Sequence, residues 1–183
     1  MSATAGRTRR TRGVPRIKSG ADVNQATTHQ SEVAAEAMGA ATEFVTFTVG
    51  RHLFGVPVLR VQDTLVPDRI ATVPLAPPEI RGSINLRGRI VTVIDMRRRL
   101  GLSETDRPNG NGMGVTVELG SELYTLLVDA VGDVISLPTR LREANPNTLD
   151  PLWRELAGGT YRLEGSLMVV LEIDRVLDLR ANN

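Results

Sequence analysis

Two histidines, 21 acidic residues and no cysteine are the raw material for chemistry in this 183-residue chain. Without cysteine there is no disulfide, no thiolate metal ligand and no thiol nucleophile. His29 lies in an N-terminal stretch and His52 at a hairpin turn, and neither has a partner at metal-ligand spacing. No Gly-x-Ser-x-Gly elbow and no paired-carboxylate arrangement stands out. Asn109-Gly-Asn-Gly-Met-Gly114 has the glycines of a phosphate loop but leads into a strand pattern, not the helix N-terminus such a loop needs, so it reads as a flexible connector. The expectation is a non-catalytic chain with no metal, no cofactor and no small-molecule substrate. Recognition chemistry is better served: Arg87 stands where a strand meets a turn, and Asp63 sits in a Val-Gln-Asp segment that recurs later as Val-Gly-Asp.

The element that must position Arg87 is Glu79–Asp95. Ile80 to Leu86 read as one strand, Arg87-Gly88 as a two-residue turn with glycine supplying positive φ, and Ile90 to Ile94 as a return strand. β-Branched residues on both faces of the return strand place it centrally in a sheet. Asp95 suits the N-cap of a short helical turn through Met96 and Leu100, with Gly101 as its stop. Arg97-Arg98-Arg99 reads as a solvated basic face.

From Glu43 the chain alternates as strands do. Val45, Phe47 and Val49 precede a Gly50-Arg51 turn, Phe54, Val56 and Val58 follow it, and Pro57 marks a strand end or edge. Val61 to Thr64 read as a bend, and Ile70 to Val73 as a short strand closed by Pro74. The second half then repeats the first. Val45–Gly50 matches Val115–Gly120 at an offset of 70, a match that continues through Val58 with Val128 to Asp63 with Asp133. Gly82, Leu86 and Gly88 match Gly159, Leu163 and Gly165 at an offset of 77, and Ile94-Asp95 matches Leu171-Glu172. The extra seven residues carry a helix signature, with Asp150 as N-cap, Pro151 at the first position and Gly158 at the end. Two similar small barrels are expected, about 43–102 and about 113–179. The repeat also isolates differences. Both copies keep the turn glycines, but Arg87 is replaced by Glu164 and Asn85 by Arg162. A residue that only shaped the turn would be kept, so Arg87 is a candidate contact.

Hydrophobic residues make up 41% of the chain and aromatics only 3%, so Val, Leu and Ile must fill the core. Residues 1–42 carry Arg7, Arg9, Arg10, Arg12, Arg16 and Lys18 with no acid before Asp22 and no aromatic residue, which reads as a disordered basic tail. That tail holds six of the 22 Lys+Arg and three of the 21 Asp+Glu, leaving 16 against 18 from residue 43 onward. A net of −2 disfavours a nucleic-acid surface on the folded part. An alternative in which the arginine tail serves a nucleic-acid-associated barrel stays open, with steep salt dependence as its sign. No apolar stretch has the form of a secretory signal or of a membrane span of about 20 residues. The expected location is cytoplasmic.

Several motifs together resemble the CheW family of chemotaxis adaptors: Glu43-Phe-Val-Thr-Phe47, Phe54-Gly-Val-Pro-Val58, Val61-Gln-Asp63, Val73-Pro74, Gly82, Asn85-Leu-Arg-Gly88, Ile94-Asp-Met-Arg97 and Leu127-Val-Asp-Ala-Val131. The resemblance covers 43–179 and implies an all-β fold of two SH3-like five-stranded barrels with short helices. It implies partners as well: the regulatory domain of a CheA-type histidine kinase, and the cytoplasmic tip of a chemoreceptor held in the groove between the barrels. Membrane contact would come only through the receptors. By position it assigns that binding region to Val61, Asp63, Gly82, Arg87, Val131 and Val134. The family usually has Glu where this chain has Asp63, one methylene longer. An adaptor of a chemosensory-like pathway with a non-motility output fits the same residues. A CheV-like adaptor would need a receiver domain that these residues cannot build.

Overall fold

The computed structural model describes residues 39–103 and 112–179. Residues 1–38 of the expected tail and 109–111 of the expected connector therefore lie outside the described residues, while Met113 and Gly114 open a strand. The tail boundary shifts where it can be seen. Ala41 and Thr42 already pair with Pro138 and Leu137, so the first strand opens two residues before the expected start.

Ten strands run in chain order: β1 (Ala41–Val49), β2 (His52–Pro57), β3 (Val61–Leu65), β4 (Ile80–Leu86), β5 (Arg89–Asp95), β6 (Met113–Leu119), β7 (Glu122–Val128), β8 (Ala130–Pro138), β9 (Ala157–Leu163) and β10 (Ser166–Leu171). Short helices follow β5 (Met96–Arg99), precede β9 (Pro151–Leu156) and follow β10 (Ile173–Leu177). Two of the helix starts are those their caps dictate. The Asp95 carboxylate accepts from the N–H groups of Arg97 and Arg98, and that of Asp150 from Leu152. Val61 to Thr64, read as a bend, lie in strand β3. Its alternate residues turn inward against β6, an arrangement the short polar run Gln-Asp-Thr hides. The strand expected at Ile70–Val73 is reduced to a single bridge between Ala71 and Ser83. Proline 74 has no N–H with which to extend it.

The sheets run β8-β1-β2-β10-β9 and β3-β6-β7-β5-β4. This corrects the expected division into barrels 43–102 and 113–179. Each sheet takes its first hairpin from one copy of the repeat and its other three strands from the other copy. The repeat itself holds residue by residue: Phe47 pairs with Phe54 as Val117 pairs with Tyr124, and Val169 with Phe54 as Thr92 with Tyr124. Even the irregularities correspond. Bulges fall between Val45 and Phe47 and between Val61 and Asp63, where β1 meets β8 and β3 meets β6. The bridges Ala71–Ser83 and Glu143–Thr160 hook the segments after β3 and β8 onto β4 and β9, which closes each sheet.

Three apolar clusters result. Phe44, Tyr161, Met168 and Val170 fill the first barrel, and Ile84, Val91, Val93 and Leu127 the second. The largest cluster joins the two, with Phe47, Phe54 and Val56 from one sheet and Ile94, Val115, Val117 and Leu126 from the other. The helix unique to the second copy inserts Trp153 there, edge-on to Phe54 at 5.3 Å, with its indole N–H donating to the Leu100 carbonyl at 2.8 Å.

Arg97-Arg98-Arg99 is not a solvated face. Arg98 is exposed, but Arg97 and Arg99 are only 3% and 2% exposed. Arg97 grips the Asp129 carboxylate with Nε at 2.9 Å and Nη2 at 2.6 Å, while Asp129 also accepts the Gly50 N–H. Arg99 donates to the carbonyls of Val176, Arg175 and Asp178, closing the end of the last helix. Burial pushes the Arg99 guanidinium below its ordinary pKa, with nearby Glu79, Asp178 and Glu155 opposing the shift. Both arginines therefore act as struts between the two copies of the repeat.

Candidate functional site

The β4–β5 turn places Arg87. A two-residue turn of this hand needs positive φ at both central positions, and Arg87 and Gly88 take 53° and 87°. Arginine has no intrinsic preference for that region, and the turn is held by Asn85, whose side-chain oxygen accepts the Gly88 N–H at 2.8 Å. The guanidinium thus held projects to β3. Its Nη2 donates to Asp63 Oδ2 at 2.9 Å, and Asp63 Oδ1 accepts the Thr64 N–H at 2.9 Å. The shorter aspartate reaches its partner, with one oxygen committed to the backbone and the other to Arg87. The Arg87 side chain stays 81% exposed and that of Asp63 26% exposed. Such a pair adds under about 1 kcal/mol to folding, so its worth must lie in what the open guanidinium can still contact.

The remaining expected residues divide by environment. Val61 on β3 and Val131 on β8 hold equivalent positions in the repeat, and both pack, half-buried, against the cluster joining the barrels. The Val131 N–H approaches the Met113 sulfur at 3.4 Å, across the junction between sheets. Val134 is 56% exposed on β8, opposite Val45. Gly82 is different in kind. It is buried at a β4 bulge with φ of 151°, and a Cβ there would collide with the Ala71 carbonyl oxygen. Gly159 repeats this conformation in the other barrel, so a requirement of the fold accounts for Gly82. The structure thus brings Asp63 and Arg87 into contact and sets Val61 and Val131 on one shared core. It leaves Val134 on an open strand and Gly82 inside.

The counterparts of Asp63 and Arg87 in the first barrel are Asp133 and Glu164, two exposed acids. The asymmetry noticed in the sequence is one of charge, and the turns differ as well, since Arg87 takes positive φ and Glu164 does not. Among the described residues no group of three or more His, Cys, Asp or Glu side chains could hold a metal ion, and no helix is long and apolar enough to cross a membrane. His52 stacks edge-on against Trp153 at 4.5 Å, and burial lowers its pKa, helped by the charge of Arg51. It stays exposed at the start of β2, with its ring resting against Trp153. Asp129 was not singled out by sequence reasoning. Its signal was an acid inside the apolar run Leu126–Val131, which a buried partner must neutralise.

Comparison with known proteins agrees with this geometry. The profile of the CheW-like domain matches residues 43–181. The chain belongs to the CheW-like family. Among its relatives are the chemotaxis protein CheW of Rhizobium meliloti, 29% identical over 134 residues, covering 73% of this chain and 86% of that protein. CheW of Klebsiella aerogenes is also 29% identical, over 147 residues, covering 80% and 87%. The crystal structure of the scaffolding protein TtCheW from Thermoanaerobacter tengcongensis superimposes with a TM-score of 0.69 at 24% identity, covering 79% of this chain and 92% of that one. That likeness concerns the fold of two five-stranded barrels. CheW-like proteins are non-catalytic scaffolds and adaptors of chemotaxis.

Proposed function

We propose that this CheW-like protein couples chemoreceptors to a CheA-type histidine kinase, without catalysis of its own. The observation that carries the reading is the solvent-facing Asp63–Arg87 pair beside Val61. A receptor tip is a helical hairpin, and helix-in-groove docking uses apolar anchors with a polar orienting contact. Val61, Val131 and Val134 supply the anchors. Asp63 holds the guanidinium by one nitrogen, leaving the rest of the planar fork for a carboxylate or a helix C-terminus on the partner. Gly82 contributes by keeping β4 close to the Ala71 segment, and with it the turn that carries Arg87. Both partners would be met at the inner face of the membrane, through the receptors.

The test is calorimetric titration with the regulatory domain of the CheA-type kinase from the same organism, followed by receptor-coupled kinase assays. Micromolar binding by the native chain, with coupling weakened in Arg87→Glu and an unchanged unfolding midpoint, is the expected result. Unchanged coupling in that variant would overturn the role given to Arg87. No binding to the kinase domain by the native chain would overturn the function.

A further inference from the structure

The halves 39–103 and 112–179 are joined once in sequence and meet four times as strands: β1 on β8, β2 on β10, β3 on β6 and β5 on β7. Neither sheet is complete within one half, since each half gives two strands to one sheet and three to the other. The four junctions form two equivalent pairs. Phe47 meets Val131 as Val117 meets Val61, and Phe54 meets Val169 as Tyr124 meets Thr92. The parallel junctions lie centrally, so a half without its partner exposes Phe47, Phe54, Val115 and Val117. With no cysteine in the chain, no disulfide fastens the halves together.

We propose that the chain exchanges halves with a second copy of itself, residues 39–103 of each chain closing on residues 112–179 of the other. Each unit of the resulting dimer keeps every strand pairing of the monomer, so the two states differ in connectivity and in association entropy, not in contacts. Low concentration favours the monomer. Folding at high concentration lets a second chain compete with the tethered half, whose effective concentration the connection sets. Once formed, the dimer is trapped, because release requires all four junctions to part and so proceeds at the rate of unfolding. The candidate site becomes shared: Val61, Asp63, Gly82 and Arg87 come from one chain, Val131 and Val134 from its partner.

The test uses the full chain in two differently tagged forms, unfolded together in denaturant and refolded over a range of concentrations. The species are then sized by light scattering after gel filtration. The expected result is a dimer whose ratio to monomer rises about tenfold for a tenfold rise in refolding concentration. It should carry both tags only when the chains are unfolded together, survive dilution for hours, and match the monomer in circular dichroism and melting point. Monomer alone at every concentration would overturn the proposal. So would a dimer that forms between already folded chains and falls apart within minutes of dilution, which is the behaviour of a surface contact. A dimer with an altered spectrum or melting point would overturn it as well, because exchanged units are unchanged units.

Discussion

The interior of the first barrel holds Phe44, Gly55, Tyr161 and Met168 where the second holds Gly114, Thr125, Ile84 and Val91. The backbone register is the same, yet the bulk has moved between strands. In the first barrel Phe44 and Tyr161 meet edge to face at 5.5 Å, and Gly55 makes room for Met168. In the second, Gly114 makes room for Thr125, whose hydroxyl shares a buried hydrogen bond of 3.0 Å with Thr116. Close packing requires each interior to be filled, but it leaves open which strand supplies the volume. What the two copies share is register, and what separates them is side-chain size and charge.

The charged struts make the sharpest contrast and should give the largest effect. Arg97–Asp129 is buried, whereas the exposed Arg60–Asp174 pair, at 3.2 Å, occupies nearly the equivalent place with the charges exchanged. Asp129→Ala strands a buried guanidinium and should cost about 3–5 kcal/mol, while Asp174→Ala should cost less than about 1 kcal/mol. Urea unfolding of the two variants side by side checks this, and equal costs would break the contrast. The apolar interiors come next. Phe44→Ala should cost about 3–5 kcal/mol and Val91→Ala about 2 kcal/mol, because more volume is lost from the first barrel.

Local pattern made much of this legible. Alternation and turn glycines located β1, β2, β4 and β5 and their counterparts, because those signals lie within a few residues of each other. Sheet membership was not legible. The two copies present equivalent edges, so nothing in the pattern says whether β2 takes β5 or β10 as its parallel neighbour. Arg97 and Arg99 were misread for a related reason. Burial of an arginine depends on acceptors elsewhere, here Asp129 and the carbonyls near Val176, 32 and 77 residues away. At the site, Asp63 and Arg87 stood out separately as an acid in both copies and a charge in one. Their contact across 24 residues is tertiary information.

Glycine substitutions sharpen the comparison of interiors at smaller cost. A Cβ on Gly55 would lie 2.8 Å from the Met168 sulfur, and one on Gly114 would lie 2.6 Å from Thr125 Cγ2. Methionine is flexible and can withdraw, whereas threonine is held at χ1. Gly114→Ala should therefore be the costlier of the two, within the range of about 1–3 kcal/mol for overpacking. Thr125→Ser, which removes the offending methyl and keeps the hydroxyl, should recover most of that loss. Melting curves showing Gly55→Ala as the worse variant would mean that Met168 is the more rigid neighbour.

The smallest effect on folding, and the one that separates fold from recognition, concerns the exposed charges. Arg87→Glu places an acid beside Asp63, as the sequence has acids at Asp133 and Glu164 in the first barrel, although Glu164 does not share the positive φ of Arg87. The Asp63–Arg87 pair is solvent-facing, so the cost should stay below about 1 kcal/mol, the usual worth of an exposed pair. The reciprocal change, Glu164→Arg, gives the first barrel a cation at the sequence position where the second has one, and should shift stability by no more than the same amount. Kinase coupling distinguishes the two variants: Arg87→Glu should lose it and Glu164→Arg should keep it. Equal coupling in both would make the charge difference between the barrels incidental. Loss in both would mean that the partner reads the two barrels together.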